Sequence, residues 1–406
     1  MARIVREMRP CCPQKVAICN RRGTGSVRWD NARKKYGEPE LIPLTTADMD
    51  FKVPPAIRDA MCEAANFGIF GYTQPKDSYY EAVADRLEKR SDWKVERSWI
   101  MYSAGIVGAI AYCVQGMTEP GDGVALVEPV YHPFSHIIED NGRVVRYGHL
   151  NQEHDPAKID FDGLETILAE PGTKVLLFCN PHNPIGRVWT EAEMERVCAL
   201  CVKYGVILVS DEIHSDIIFT GNHFCSAGPV MERLGGKEQL VVCTAASKTF
   251  NIAGLQCSAI LIPGEKLREK YREILMRQHF MEMNAIGPVA TEAAYRNGQE
   301  WLDELMDYLE ENRDYAARFI DEQIPGMRAV VPEATYMMWI DCRQLGMTDE
   351  ELERFLVHRA KVALNVGSSF GPGGAGYVRL NFGISRALLT EALERIRRSV
   401  LEMKHG

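Results

Sequence analysis

Short apolar runs bounded by turn formers dominate the middle of this chain. They read "GVALVEP" at 123–129, "KVLLFCNP" at 174–181, "GVILVSDE" at 205–212, "LVVCTA" at 240–245 and "SAILIPG" at 258–264. Runs of this length that do not alternate with polar residues suit strands covered on both faces. Between several of them lie stretches with helical spacing, such as "TEAEMERVCALCVKYG" at 190–205. Strands separated by helices predict an α/β fold, with a mostly parallel central sheet flanked by helices.

From 301 the pattern changes. "WLDELMDYLEENRDYAARFI" places apolar residues at 302, 305, 306, 309, 316, 319 and 320, the stripe of a long amphipathic helix. Two strand-like segments in "MRAVVPEATYMMWIDC", the helix "TDEELERFLVHRAKV", the strand "YVRLNFG" and a closing helix follow. This reads as a smaller α+β domain over 301–406, after a large domain over 51–300. Residues 1–50 have no core of their own and are expected to form an N-terminal arm and part of the small domain. "GPGGAG" at 371–376 reads as a flexible loop without the spacing of a dinucleotide fingerprint.

Composition narrows the function classes. A net charge of -9 argues against nucleic acid or an anionic membrane surface as the main partner. No apolar stretch approaches the roughly 20 residues of a membrane-spanning helix, and the basic start lacks the apolar centre of a secretory signal. The expected location is the cytoplasm, where the twelve cysteines stay reduced. Cys198 and Cys201 form a C-x-x-C, but on a helical apolar pattern with no second pair at zinc-ligand distance, so core packing is expected. No role falls to Cys11 and Cys12.

In an open parallel sheet, ligands bind beyond the carboxyl ends of the strands. After "VALVEP" stands Tyr131, after "VLLFCN" Asn183, after "VILVS" Asp211 and His214, and after "LVVCTAAS" Lys248. Lysine is among the residues least often buried, so one at the end of a core strand needs a reason. An amine to form a Schiff base, an acid for a ring nitrogen, an aromatic to stack and an amide for a phenolate oxygen together suit pyridoxal 5'-phosphate. "YSAGIVGAIAYC" at 102–113 adds a phosphate cradle, with Ser103, Ala104 and Gly105 opening a helix whose amides favour an anion; Gly105, Ile106 and Val107 are the expected cofactor contacts there, and Ser247 adds a hydroxyl. His214 reads either as part of this set or as a hydrogen-bonded core imidazole.

The motifs "TADMDFKVPPAI" at 46–57, "FGYTQP" at 70–75, "EPVYHPF" at 128–134, "CNPHNPIGRVW" at 179–189, "SDEIHSDI" at 210–217, "ASKTFNIAGLQ" at 246–256 and "YVRLNFG" at 377–383 run in a recognisable order. The chain resembles the fold-type-I pyridoxal-phosphate enzymes of the class I/II aminotransferase group, and within it the cystathionine β-lyases of the MalY/PatB type. The resemblance implies that Lys248 carries the cofactor and transfers protons. It implies that Asp211 pairs with the ring nitrogen, Asn183 reaches the phenolate oxygen and Tyr131 stacks on the ring. By the same resemblance Arg379 grips the substrate α-carboxylate, the Ala47 backbone lines that pocket, and Tyr72 reaches the phosphate of the neighbouring subunit in a homodimer.

His214 and Gln256 stand where ordinary aminotransferases of the fold carry a tyrosine and a phosphate-binding arginine, and in both the chain resembles the lyases. Tyr336, with Met337, is placed either at the border of the substrate side-chain pocket or in the core. The implied reaction is α,β-elimination of L-cystathionine or a related cysteine S-conjugate to a thiol, pyruvate and ammonia. Two other readings stand beside it: an amino-acid transaminase, and a cofactor-binding regulatory protein acting through protein contacts.

Overall fold

The computed structural model describes residues 19–154, 156–280 and 282–405. Cys11, Cys12 and the rest of residues 1–18 lie outside the described residues. In chain order the strands are β1 (Ile42–Pro43), β2 (Ile100–Ser103), β3 (Gly123–Glu128), β4 (Val144–Asn151), β5 (Lys158–Ile159), β6 (Thr173–Cys179) and β7 (Ile207–Asp211). They continue with β8 (Leu240–Thr244), β9 (Ser258–Leu261), β10 (Arg328–Val330), β11 (Met337–Asp341), β12 (Val362–Ala363), β13 (Asn365–Val366) and β14 (Tyr377–Asn381).

The large sheet has the order β2-β9-β8-β7-β6-β3-β4-β5. From β8 through β7, β6 and β3 to β4 every pairing is parallel. β9 runs antiparallel to both of its neighbours, and β5 is an antiparallel edge. The apolar runs lack alternation because both faces are covered. Leu176, Phe178, Leu208 and Val242 pack into one core cluster, shared with Met194, Val197, Cys198 and Cys201 of the helix Glu191–Tyr204. Their strand neighbours Val175, Leu177, Val209 and Val241 pack into another, with Ile106, Ala109, Ile110 and Cys113 of the helix Ile106–Met117. Thr190 starts the former helix with a capping box, its hydroxyl accepting from the Glu193 amide while the Glu193 carboxylate accepts from the Thr190 amide.

A second sheet, ordered β10-β11-β14-β13 and antiparallel throughout, carries the chain end. It shares a core cluster with the 25-residue helix Gln299–Gln323 and the closing helix Arg386–His405. Ile42, Leu44, Met49 and Phe51 enter that same cluster. The first segment is tied in by charge as well. Arg28 is fully buried and paired with Asp48 and Asp50, and Trp29 Nε1 donates to Asp50 Oδ1 over 3.0 Å. A buried cation needs paired carboxylates to offset its desolvation, and Arg28 has two of them, Asp48 and Asp50. The glycine-rich loop is less free than expected: Pro372–Gly374 forms a 3-10 turn whose Gly373 amide donates to Glu128 Oε2 over 2.6 Å. Among the described residues no helix is long and apolar enough to cross a membrane.

Candidate active site

The parallel strands deliver their chemistry at one rim. β7 ends on Asp211, which lies level with Cys179 of β6 and Cys243 of β8. β3, β6 and β8 run out a few residues before Tyr131, Asn183 and Lys248. These residues, with Ala47, Gly105, Ile106, Val107, His214 and Ser247, line a single cavity of about 190 Å³. Arg379, on β14, enters from the second sheet and bridges the two: its Nη1 donates to Asn183 Oδ1 over 2.9 Å.

Burial sets the electrostatics. Asp211 is buried, accepts the Ile213 amide at 3.1 Å, and is raised to about 7, chiefly by desolvation; the amide bond and Lys248 oppose the rise. No ion pair of Asp211 occurs among the described salt bridges. Lys248 is half-buried, and its Nζ donates to the Ala47 carbonyl over 2.7 Å. Desolvation holds its amine below the ordinary lysine value, with Arg379 adding to the effect and Asp48 and Asp211 opposing it. His214 is pushed down to about 3 by burial, then by Lys248 and Arg379, so the ring is neutral. Burial also raises the Tyr131 phenol, against the pull of Arg379.

Arg379 is a buried guanidinium lowered to about 10 by desolvation. Its Nη2 donates to Thr45 O and Asn365 Oδ1, its face lies 4.8 Å from the Phe370 ring, and its Nε has no partner. All its acceptors are neutral, which leaves the cation uncompensated and suited to an anionic ligand. At the other end Gly105 caps the helix Ile106–Met117, and a Cβ built there meets no atom within 4 Å. An open space before free helix amides fits a phosphate. A buried acid with no ion pair among the described residues, a depressed amine, an aromatic on the cavity wall and open space at a helix start together fit pyridoxal phosphate.

Three residues expected at the site are not among those lining the cavity: Arg379, which touches it through Asn183, and Tyr72 and Tyr336. Tyr72 is 95% exposed, and Tyr336 is fully buried with its hydroxyl donating to Ala47 O over 3.1 Å. Sequence reasoning missed Asn365, Phe134, Cys179 and Ser258. Asn365 faces Arg379 across the β13–β14 pair, and Cys179 Sγ accepts the Asn183 amide at 3.4 Å. Phe134 meets the Tyr131 ring edge-on at 5.5 Å. Only the last had a signal, an aromatic three residues after Tyr131 at a helix start.

A mixed sheet bearing lysine, aspartate, asparagine and tyrosine on its rim, with an arginine brought in from a second sheet, defines a fold-type-I pyridoxal-phosphate enzyme. The chain belongs to the family aminotransferase class I and II, whose profile matches residues 39–396. Within it, the chain is 41% identical over 377 residues to cystathionine beta-lyase PatB of Bacillus subtilis (strain 168), covering 93% of this chain and 97% of that protein. It is 32% identical to protein MalY of Escherichia coli (strain K12), covering 93% and 96%. Among solved structures, cystalysin of Treponema denticola, which contains a pyridoxal 5'-phosphate cofactor, matches with a TM-score of 0.92 and 33% identity, over 95% of this chain and 98% of that one.

Proposed function

We propose that this protein is a pyridoxal-phosphate-dependent carbon–sulfur β-lyase that splits L-cystathionine or a related cysteine S-conjugate into a thiol, pyruvate and ammonia. The observation that carries the reading is the buried Asp211 carboxyl, raised by desolvation and in no ion pair among the described residues, in one cavity with a depressed Lys248 amine. The near full-length similarity to a cystathionine beta-lyase at 41% identity supports lyase over transaminase.

When bound, pyridoxal phosphate supplies an aldehyde that condenses with amines and a ring that accepts the electron pair of a carbanion. Every other part falls to this chain. Asp211 would pair with the ring nitrogen, Asn183 would donate to the phenolate oxygen, Tyr131 would stack on the ring, and the amides after Gly105 with Ser247 would hold the phosphate. Arg379 binds the substrate α-carboxylate through its planar fork. Lys248 Nζ, whose proton affinity desolvation lowers, would remove the proton from the substrate Cα. The Cβ–S bond then breaks with its electron pair on sulfur. Over the full cycle one water is consumed, and thiol, pyruvate and ammonium are released.

The active unit proposed is a homodimer. Phe67, Ile69, Phe70 and Tyr72 expose 60–95% of their surface within six residues, an apolar cluster suited to a partner. Val107, on the cavity wall, is 43% exposed, so the phosphate end opens outward. Tyr72 of a neighbouring copy closes that end. The cytoplasm is the proposed location, supported by ten cysteines that all stand free among the described residues.

The test is pyruvate release from L-cystathionine by the cofactor-loaded protein with no 2-oxo acid present. Sustained release beyond one equivalent is expected. Turnover that starts only when a 2-oxo acid is added makes the protein a transaminase.

A further inference from the structure

The Ala47 carbonyl is the meeting point of two donors. Lys248 Nζ reaches it at 2.7 Å and Tyr336 Oη at 3.1 Å. A carbonyl oxygen has two lone pairs, so both bonds coexist. The acceptor is held in place from both sides. Arg379 donates to Thr45 O, Asn381 Nδ2 to Thr46 O and Asp48 O, and Asn251 Nδ2 to Met49 O.

Tyr336 is held as firmly. It is fully buried, with its ring edge-on to His214 at 5.8 Å. The preceding Thr335 sits at φ 68°, a left-handed conformation that a β-branched residue adopts only where its surroundings impose it. Those surroundings are visible: the Thr335 amide donates to Ile217 O over 2.9 Å, and its Oγ1 accepts the Met337 amide at 3.1 Å. Strain next to a buried phenol that does not line the cavity needs a purpose beyond filling space.

We propose that Tyr336 is a positioning residue for Lys248: its hydroxyl occupies one lone pair of the Ala47 carbonyl and so loosens that carbonyl's hold on the lysine amine. The proposal rests on Lys248 being the cofactor lysine and is indifferent to the choice between lyase and transaminase. An ammonium is a stronger donor than a neutral amine. With the phenol removed, Ala47 O accepts from Lys248 alone and favours its ammonium form. The other groups facing the amine, Asp48, Asp211, Arg379 and the neutral His214, are unchanged by that removal.

The measurement is the rate of covalent capture of pyridoxal phosphate by the full-length protein stripped of cofactor, followed by absorbance across pH. Capture needs the neutral amine and releases one water. In Tyr336→Phe the pH midpoint of capture is expected to rise by about half to one unit, the size of one hydrogen bond's net effect. Below the midpoint, capture is then roughly three- to tenfold slower. In the loaded enzyme kcat falls while KM holds. Tyr336→Met, which also loses the ring, is expected to shift the midpoint equally while melting at a lower temperature. An unchanged midpoint in Tyr336→Phe, or a shift in Tyr336→Met alone, overturns the proposal. Covalent capture persisting in Lys248→Ala would instead sink the assignment of the cofactor lysine itself.

Discussion

Asp211 sits where a carboxylate is least at ease, buried at a strand end beside two cysteines and raised from 3.8 to about 7. A raised acid means that the folded protein holds its proton while the unfolded chain has lost it. In the cofactor-free protein, stability on this account is fully present below about pH 4 and is lost as pH rises towards 7, on the order of 2–4 kcal/mol in all. Asp211→Asn cannot titrate. Its melting temperature relative to the cofactor-free wild type is therefore expected to be highest at pH 8 and to fall steadily towards pH 4, as differential scanning calorimetry would read. A pH-independent difference would remove desolvation as the cause. In the loaded enzyme the same substitution loses the charge on the ring nitrogen, and kcat/KM for pyruvate formation is expected to drop by roughly 10²-fold or more. Arg379→Lys keeps the charge but not the fork, so KM should rise about tenfold or more with a smaller change in kcat. At this scale the sequence was legible wherever a residue type was out of place for its run. A lysine, an acid and an amide after apolar strands are such residues. Asn365 and Tyr336 were not legible as partners, because their roles depend on pairing across β13–β14 and on one carbonyl 289 residues away.

The helix Ile106–Met117 shows what an element contributes. Its apolar residues recur at 106, 109, 110, 113, 114 and 117 and bury one face, so its N-terminus is fixed at the rim by packing. Gly105 is extended (φ 177°) and has open space around it, so a side chain there strains nothing in the fold. It would instead enter the space assigned to the phosphate. Gly105→Val is accordingly expected to leave the melting temperature of the cofactor-free protein unchanged and to weaken cofactor binding by roughly tenfold or more, measured by absorbance titration. Equal losses of stability and affinity would show that the glycine serves packing. The apolar runs at 123–129, 174–181, 205–212, 240–245 and 258–264 all became strands, since burial on both faces leaves a strong signal. β4 gave a weaker one: "VVRYGHLN" lies towards the sheet's edge with most of its residues only partly covered. The hold on "GPGGAG" was invisible because it comes from Glu128, 245 residues away.

The whole molecule is where sequence reasoning rests most on resemblance, because a subunit's partner leaves only exposed apolar residues behind. Tyr72 is 95% exposed, and Val107 on the cavity wall is 43% exposed. If Tyr72 completes a neighbour's site, defects in Lys248 and Tyr72 must complement each other across subunits. Lys248→Ala and Tyr72→Ala proteins are each expected to have little activity alone. Mixed in equal amounts, unfolded and refolded together, half of the dimers are hybrids. In each hybrid, the site with an intact Lys248 receives an intact Tyr72 from its partner, and the other site lacks both. About one quarter of the wild-type pyruvate-forming activity should return. If Tyr72 instead served its own chain's site, every hybrid site would lack one residue and the mixture would stay as inactive as its parents. A further arrangement, a monomer with Tyr72 idle, predicts that Tyr72→Ala alone keeps full activity. The three outcomes differ in a single assay, and only the recovery of about a quarter supports a shared active site.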